Sequence, residues 1–187
     1  MKKRTNDRKV ALFGSLRVMV LCSVFVAISI VCGKYLAIRG GDVLRFSFEN
    51  LPIILAGIAF GPVAGAAVGV VADLVGCMLV GYAINPLITI AGGFIGAISG
   101  LVFYLCRKAP VWLGATLSVA VAHIVGSVLI KTVGLSVFYS MPLWELMLWR
   151  LLNYVIIGTV EGILINVLLK NKAFRKQLMI YRGEDSK

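Results

Sequence analysis

The sequence predicts an all-α integral membrane protein of six transmembrane helices with both termini in the cytoplasm. Three observations predict it. Hydrophobic residues make up 60% of the 187 and charged residues only 14%, against roughly 25% charged in soluble domains. The apolar runs are separated by Gly/Pro breaks or basic pairs, and most are about as long as a bilayer crossing requires. The net charge of +11 lies largely outside those runs. Lys2, Lys3, Arg4, Arg8 and Lys9 crowd the amino terminus, Arg107-Lys108 separate two runs, and Lys170, Lys172, Arg175, Lys176, Arg182 and Lys187 fill the tail. This is the positive-inside distribution of a membrane protein, and it argues against nucleic acid as a partner.

The chain divides into a basic cytoplasmic segment (1–15), a six-helix membrane domain (16–169) and a basic cytoplasmic tail (170–187). No cleavable signal peptide is expected, because more apolar helices follow the first run with no small-residue cleavage site between. The first span, about Leu16 to Leu36, carries Ser23, Ala27 and Val31 at four-residue spacing, a stripe on which another helix can pack closely. Lys34 and Arg39 follow, then the turn-prone linker Gly40-Gly41-Asp42. The second span, about Leu51 to Phe60, is too short to cross the hydrocarbon alone. It either borrows length from Phe46 to Asn50 or is tilted and buried in protein.

Pro62 opens the third span, which runs to about Val80 with Gly65 and Gly69 on nearly one face with Asp73. After the loop 81–86, the fourth span reaches about Cys106 with Gly92, Gly96 and Gly100 as a second close-packing ladder. The fifth covers about Val111 to Val133 and holds His123 and Lys131. A loop over 134–142 leads to the sixth, about Leu143 to Leu169. Cys22, Cys32, Cys77 and Cys106 have no metal-ligand spacing and read as small packing residues.

Cytoplasmic termini place the Gly61-Pro62 turn and Arg107-Lys108 in the cytoplasm. Lys34, Arg39, Arg45, Lys131 and Arg150 then all fall at or near the external ends of their spans. Lys34 and Arg39 can snorkel to headgroups. Arg150 lies about two turns inside the sixth span, where it either pairs with Glu145 or Asp73 or, with Lys131, meets an anionic ligand. Phe46, Phe48, Tyr82, Phe138, Tyr139, Trp144, Trp149 and Tyr154 gather in the same places. An interfacial belt accounts for most of them. Phe46 and Trp144, beside charged neighbours, also suit a planar heterocycle carrying a carboxylate. Asn85 and Asn153 can read a heterocycle edge, or serve as a helix cap and an interhelical contact.

No catalytic set, cofactor or metal site emerges. His123 is the one histidine, and the chain has no phosphate-binding Gly-x-x-x-x-Gly-Lys-Ser/Thr loop, so any ATP is hydrolysed by a partner.

A small six-helix membrane protein with a basic amino terminus resembles the substrate-binding S components of energy-coupling factor (ECF) vitamin transporters. The stretches Leu-Arg-Phe-Ser-Phe-Glu-Asn-Leu-Pro-Ile (44–53), Phe-Gly-Pro-Val-Ala-Gly-Ala-Ala-Val-Gly-Val-Val-Ala-Asp (60–73) and Gly-Tyr-Ala-Ile-Asn-Pro-Leu-Ile-Thr (81–89) are similar to the folate branch. The resemblance implies a vitamin-binding pocket at the external face, a transmembrane coupling subunit and two cytoplasmic ATPases as partners, and toppling of the subunit to deliver its cargo. It also implies packing of the first helix on the coupling subunit. The family's Ala-x-x-x-Ala is replaced here by Ser23, Ala27 and Val31. Folate, a flat pterin with a glutamate tail, matches the aromatic and cationic inventory.

The expected binding residues are Arg45, Phe46, Phe48, Asn85, Lys131, Trp144, Arg150 and Asn153. The 40–50 linker would act as a lid hinged at Gly40-Gly41. Rival readings are an S component for another flat or anionic vitamin, an intramembrane lipid-modifying enzyme, and a homo-oligomer built on the glycine ladders. The enzyme needs acid/base groups converging on one cavity, and Asp73, Glu145, Glu161 and His123 are scattered in sequence. The oligomer predicts self-association without tight small-molecule binding.

Overall fold

The computed structural model describes residues 16–40, 44–140 and 142–172. The basic amino terminus, Gly41-Asp42 of the linker and most of the basic tail lie outside the described residues, as does the side chain of Arg45. Helix α1 (Leu16–Ile30) continues through a π-helical turn, Val31–Tyr35. A hairpin of β1 (Ile38–Gly40) and β2 (Leu44–Phe46) follows. The remaining helices are α2 (Asn50–Phe60), α3 (Pro62–Val80), α4 (Pro86–Leu105), α5 (Val111–Ala122), α6 (Lys131–Tyr139) and α7 (Leu143–Lys170). A π-helical segment, His123–Ile130, joins α5 to α6 in one continuous run. Among the described residues, five runs are long and apolar enough to cross a membrane, and α2 is a shorter apolar helix.

The short α2 is the centre of the bundle. Asn50 and every residue from Pro52 to Phe60 are buried, and Ile53, Ile54, Leu55, Ile58 and Phe60 dominate the main core cluster. Eleven residues rise only about 16 Å. Enclosed by neighbouring helices, α2 satisfies its own backbone and need not reach both lipid faces. Gly61, at φ +95°, makes the sharp exit that Pro62 at the head of α3 requires.

The two glycine ladders pack against each other. A Cβ on Gly69 would fall on the Gly92 carbonyl, and one on Gly96 on the Gly65 carbonyl. Backbone therefore meets backbone between α3 and α4, the small-residue packing that membrane helices use where hydrophobic burial gives no drive.

Two expectations are corrected. The linker at 40–50 is partly an antiparallel hairpin, with Ile38 opposite Phe46 and Arg39 opposite Arg45; alternating side chains at 44–48 suit a strand. The loop expected at 134–142 is helical as far as Tyr139. Gly134 reads as a turn signal in sequence, but it is a contact residue, since a Cβ there would lie 2.9 Å from Leu87 Cβ.

Candidate functional site

At the hairpin end of the bundle, polar side chains from α1, the π-helical turn that follows it, the residue before α2, α3 and α6 converge on a small cavity of about 20 Å3. Lys34, Glu49, Asp73 and Lys131 line it, together with Ser29 and the close-packed Gly69 and Gly92. Lys131 Nζ donates to Glu49 Oε1 at 2.7 Å and to Asn50 Oδ1 at 3.4 Å. Ser29 Oγ donates to the Glu49 carbonyl at 2.7 Å, tying α1 to the start of α2. Thr89 Oγ1 donates to Asp73 Oδ2 at 2.6 Å, and Lys34 Nζ reaches Cys77 Sγ at 3.5 Å.

The close approach of helices is part of the construction. A Cβ on Gly33 would lie 2.7 Å from Glu49 Oε2, and one on Gly76 would lie 2.8 Å from Lys34 Cε. Both glycines leave room for a charged side chain to lie along a neighbouring helix.

Arg150 stands beside this cluster on α7. Its Nε and Nη2 donate to the Ser127 carbonyl at 3.3 and 3.0 Å, and its guanidinium carbon lies 5.2 Å from the Tyr154 ring centroid. The expected alternative pairing with Glu145 or Asp73 is not formed; Asp73 is engaged by Thr89. In the described structure the hydrogen-bond acceptors of Arg150 are neutral, so its charge is available to an anion.

The remaining expected residues are placed as follows. Asn85 is buried, caps α4 by accepting from Leu87 N–H at 3.0 Å, and donates to the Gly134 carbonyl at 2.9 Å. It thereby fixes α4 against α6. Asn153 is buried on α7. Phe46 is half-buried at the end of β2, and Phe48 is 41% exposed just before α2. Trp144 is 79% exposed on the first turn of α7, away from the cavity lining. Ser23 and Ala27 on α1, and Val31 at the start of the π-helical turn, all lie exposed.

Sequence reading omitted Glu49, Asp73 and Lys34 from the site proper. Asp73 carried a signal, its position on the Gly65/Gly69 face. Nothing local marked Glu49 as the partner of Lys131, 82 residues away. A second missed pair lies deeper, where His123 Nε2 is 2.7 Å from Glu161 Oε2, both buried. A wider concavity, about 820 Å3, lies elsewhere: an apolar groove between α5 and α7 from Trp112 to Leu151, with His123 and Tyr154 in its wall. The cluster of convergent charged and polar groups is at the hairpin end.

The family model of the substrate-specific component of ECF transporters matches residues 17–171. The chain belongs to this family. A folate transporter, FolT of Clostridium novyi (strain NT), is 26% identical over 149 residues, covering 79% of this S component and 85% of the relative. The crystal structure of a FolT bound with folic acid matches at a TM-score of 0.66 and 27% identity, covering 80% of this S component and 90% of that chain. A second solved structure, the S component of a bacterial ECF transporter, shares the fold at a TM-score of 0.58 and 22% identity over 81% of this S component and 95% of its own length.

Proposed function

We propose that this S component binds folate at the hairpin end, facing the cell exterior, for import by a complete ECF transporter. The observation that carries the reading is the Arg150 guanidinium, half-buried inside an apolar bundle and hydrogen-bonded to neutral oxygens. A cation so placed is costly unless an anion completes it. Lys131 supplies a second positive charge nearby, and the glutamate tail of folate supplies two carboxylates. The similarity to a FolT crystallised with folic acid supports the same ligand class.

A cavity of about 20 Å3 holds roughly one water, whereas ligand sites span about 300–1,000 Å3. The described conformation is therefore closed, and folate enters by displacement of the hairpin and the end of α1. Phe46 and Phe48 then close over the heterocycle, with Arg45 at the same rim. A ligand carboxylate competes with Glu49 for Lys131, exchanging one ion pair for another. Asn153, buried on α7 three residues beyond Arg150, is proposed as part of the wall, whereas Trp144, 79% exposed, is left outside it.

Positive-inside charge supports cytoplasmic termini. The exposed face of Ser23, Ala27 and Val31 on α1 is the surface offered to the coupling subunit, and two cytoplasmic ATPases hydrolyse the ATP. Titration of purified protein with folate, following tryptophan fluorescence, tests the reading, with riboflavin, thiamine and biotin as controls. Saturable nanomolar binding of folate alone is the expected result. Arg150→Ala in folded protein weakens it by about 2–3 kcal/mol, roughly 30- to 150-fold, the low end for a desolvated pair because Arg150 is only half-buried. Unchanged affinity removes Arg150 from the site.

A further inference from the structure

Five buried polar side chains form one continuous chain through the core. Glu161 on α7 meets His123 Nε2 at 2.7 Å. His123 Nδ1 lies 3.2 Å from Ser127 Oγ, which accepts from Asn50 Nδ2 at 3.3 Å. Asn50 Oδ1 in turn accepts from Lys131 Nζ. Glu161, Ser127 and Asn50 are fully buried, His123 and Lys131 nearly so.

Ser127 is the hub of this chain. Its hydroxyl is held from two sides, and its carbonyl receives both Nε and Nη2 of Arg150. The π-helical segment makes this possible: Lys131 N–H donates to Gly126 O, five residues back, and so does not occupy the Ser127 carbonyl as it would in an α-helix. Both cations of the proposed site, Lys131 and Arg150, are thus tied to one seryl residue. That residue's position is set by an imidazole–carboxylate pair deeper in the bundle.

We infer that His123 and Glu161 are positioning residues for ligand binding, acting on Arg150 and Lys131 through Ser127. The inference rests on the folate reading above. A buried imidazole–carboxyl pair is poor material for stability alone, since apolar residues of equal volume often serve as well or better. Here the polar chain ends on the two groups that meet the ligand, and directed hydrogen bonds hold such groups in place where packing alone leaves them loose. Neither residue touches ligand in this account.

The test is a double-mutant cycle on folate affinity in the full-length protein. Glu161→Ala weakens folate binding about 5- to 30-fold in the wild-type background and by a clearly smaller factor in Arg150→Ala, where only Lys131 is left to be positioned. Glu161→Gln, which still accepts from His123, restores most of the affinity. Equal factors in both backgrounds, no effect in either, or failure of Gln to restore binding overturns the inference while leaving the folate reading intact. If wild-type protein does not bind folate, both fall. Should Glu161→Ala fail to fold, Ser127→Ala replaces it in the same cycle, with the same selective loss expected and additivity as the refuting result.

Discussion

Replacing His123 with leucine removes the one described partner of a fully buried carboxylate. Glu161 is 0% exposed and rests one oxygen on His123 Nε2 at 2.7 Å. Its other oxygen, Oε1, has no hydrogen-bond partner among the described residues. In His123→Leu the whole carboxyl group is left in apolar surroundings. Breaking a buried pair from one side costs about 3–5 kcal/mol. For a chain of this size that corresponds to a fall of roughly 6–20 °C in melting temperature.

The companion variant, His123→Leu with Glu161→Leu, removes both polar side chains. It should regain most of that loss, because the desolvation penalty disappears with the carboxylate. Thermal unfolding in one detergent, without ligand, reads both variants. A double variant as unstable as the single, or a single variant as stable as wild type, would refute the reasoning. The first result would mean that shape dominates the site, the second that the carboxylate is satisfied by other means.

Three further outcomes follow from the same geometry. Gly96→Ala forces a methyl onto the Gly65 carbonyl and should cost about 1–3 kcal/mol by overpacking, read as a lower melting temperature. Glu49→Gln releases Lys131 from its 2.7 Å ion pair and removes a carboxylate that competes with the ligand's. It should tighten folate binding several-fold in a fluorescence titration, and a weaker affinity would place Glu49 on the ligand itself. Ala27→Trp on the exposed side of α1 should leave folate affinity of the isolated subunit unchanged while abolishing uptake in vesicles containing the reconstituted transporter. Normal uptake by that variant would move the coupling surface off this face.

The glycine ladders show how far one-dimensional information reaches. Four-residue spacing identifies a close-packing face but not the helix it meets, and only the folded bundle pairs Gly69 with Gly92 and Gly96 with Gly65. Gly134 misleads in the opposite direction: its local signature is a turn, while its role is a contact with Leu87 on another helix. For Asn85 the helix cap is legible in the sequence from Pro86 beside it, whereas its hold on the Gly134 carbonyl is visible only in the fold.

Composition, apolar run length and the placement of basic residues by themselves determined the membrane class, the approximate spans and the basic segments between them. Each of these depends on transfer of a residue between water and hydrocarbon, a property of the local sequence. Sequence also marked Lys131 and Arg150 as cations inside apolar runs. Which carboxylate each cation meets depends on helices brought together across the bundle, and local sequence does not carry that information. Lys131 pairs with Glu49, 82 residues away, His123 with Glu161, 38 away, and Arg150 with a backbone carbonyl that a π-helical segment releases. Tertiary packing alone decided those partners.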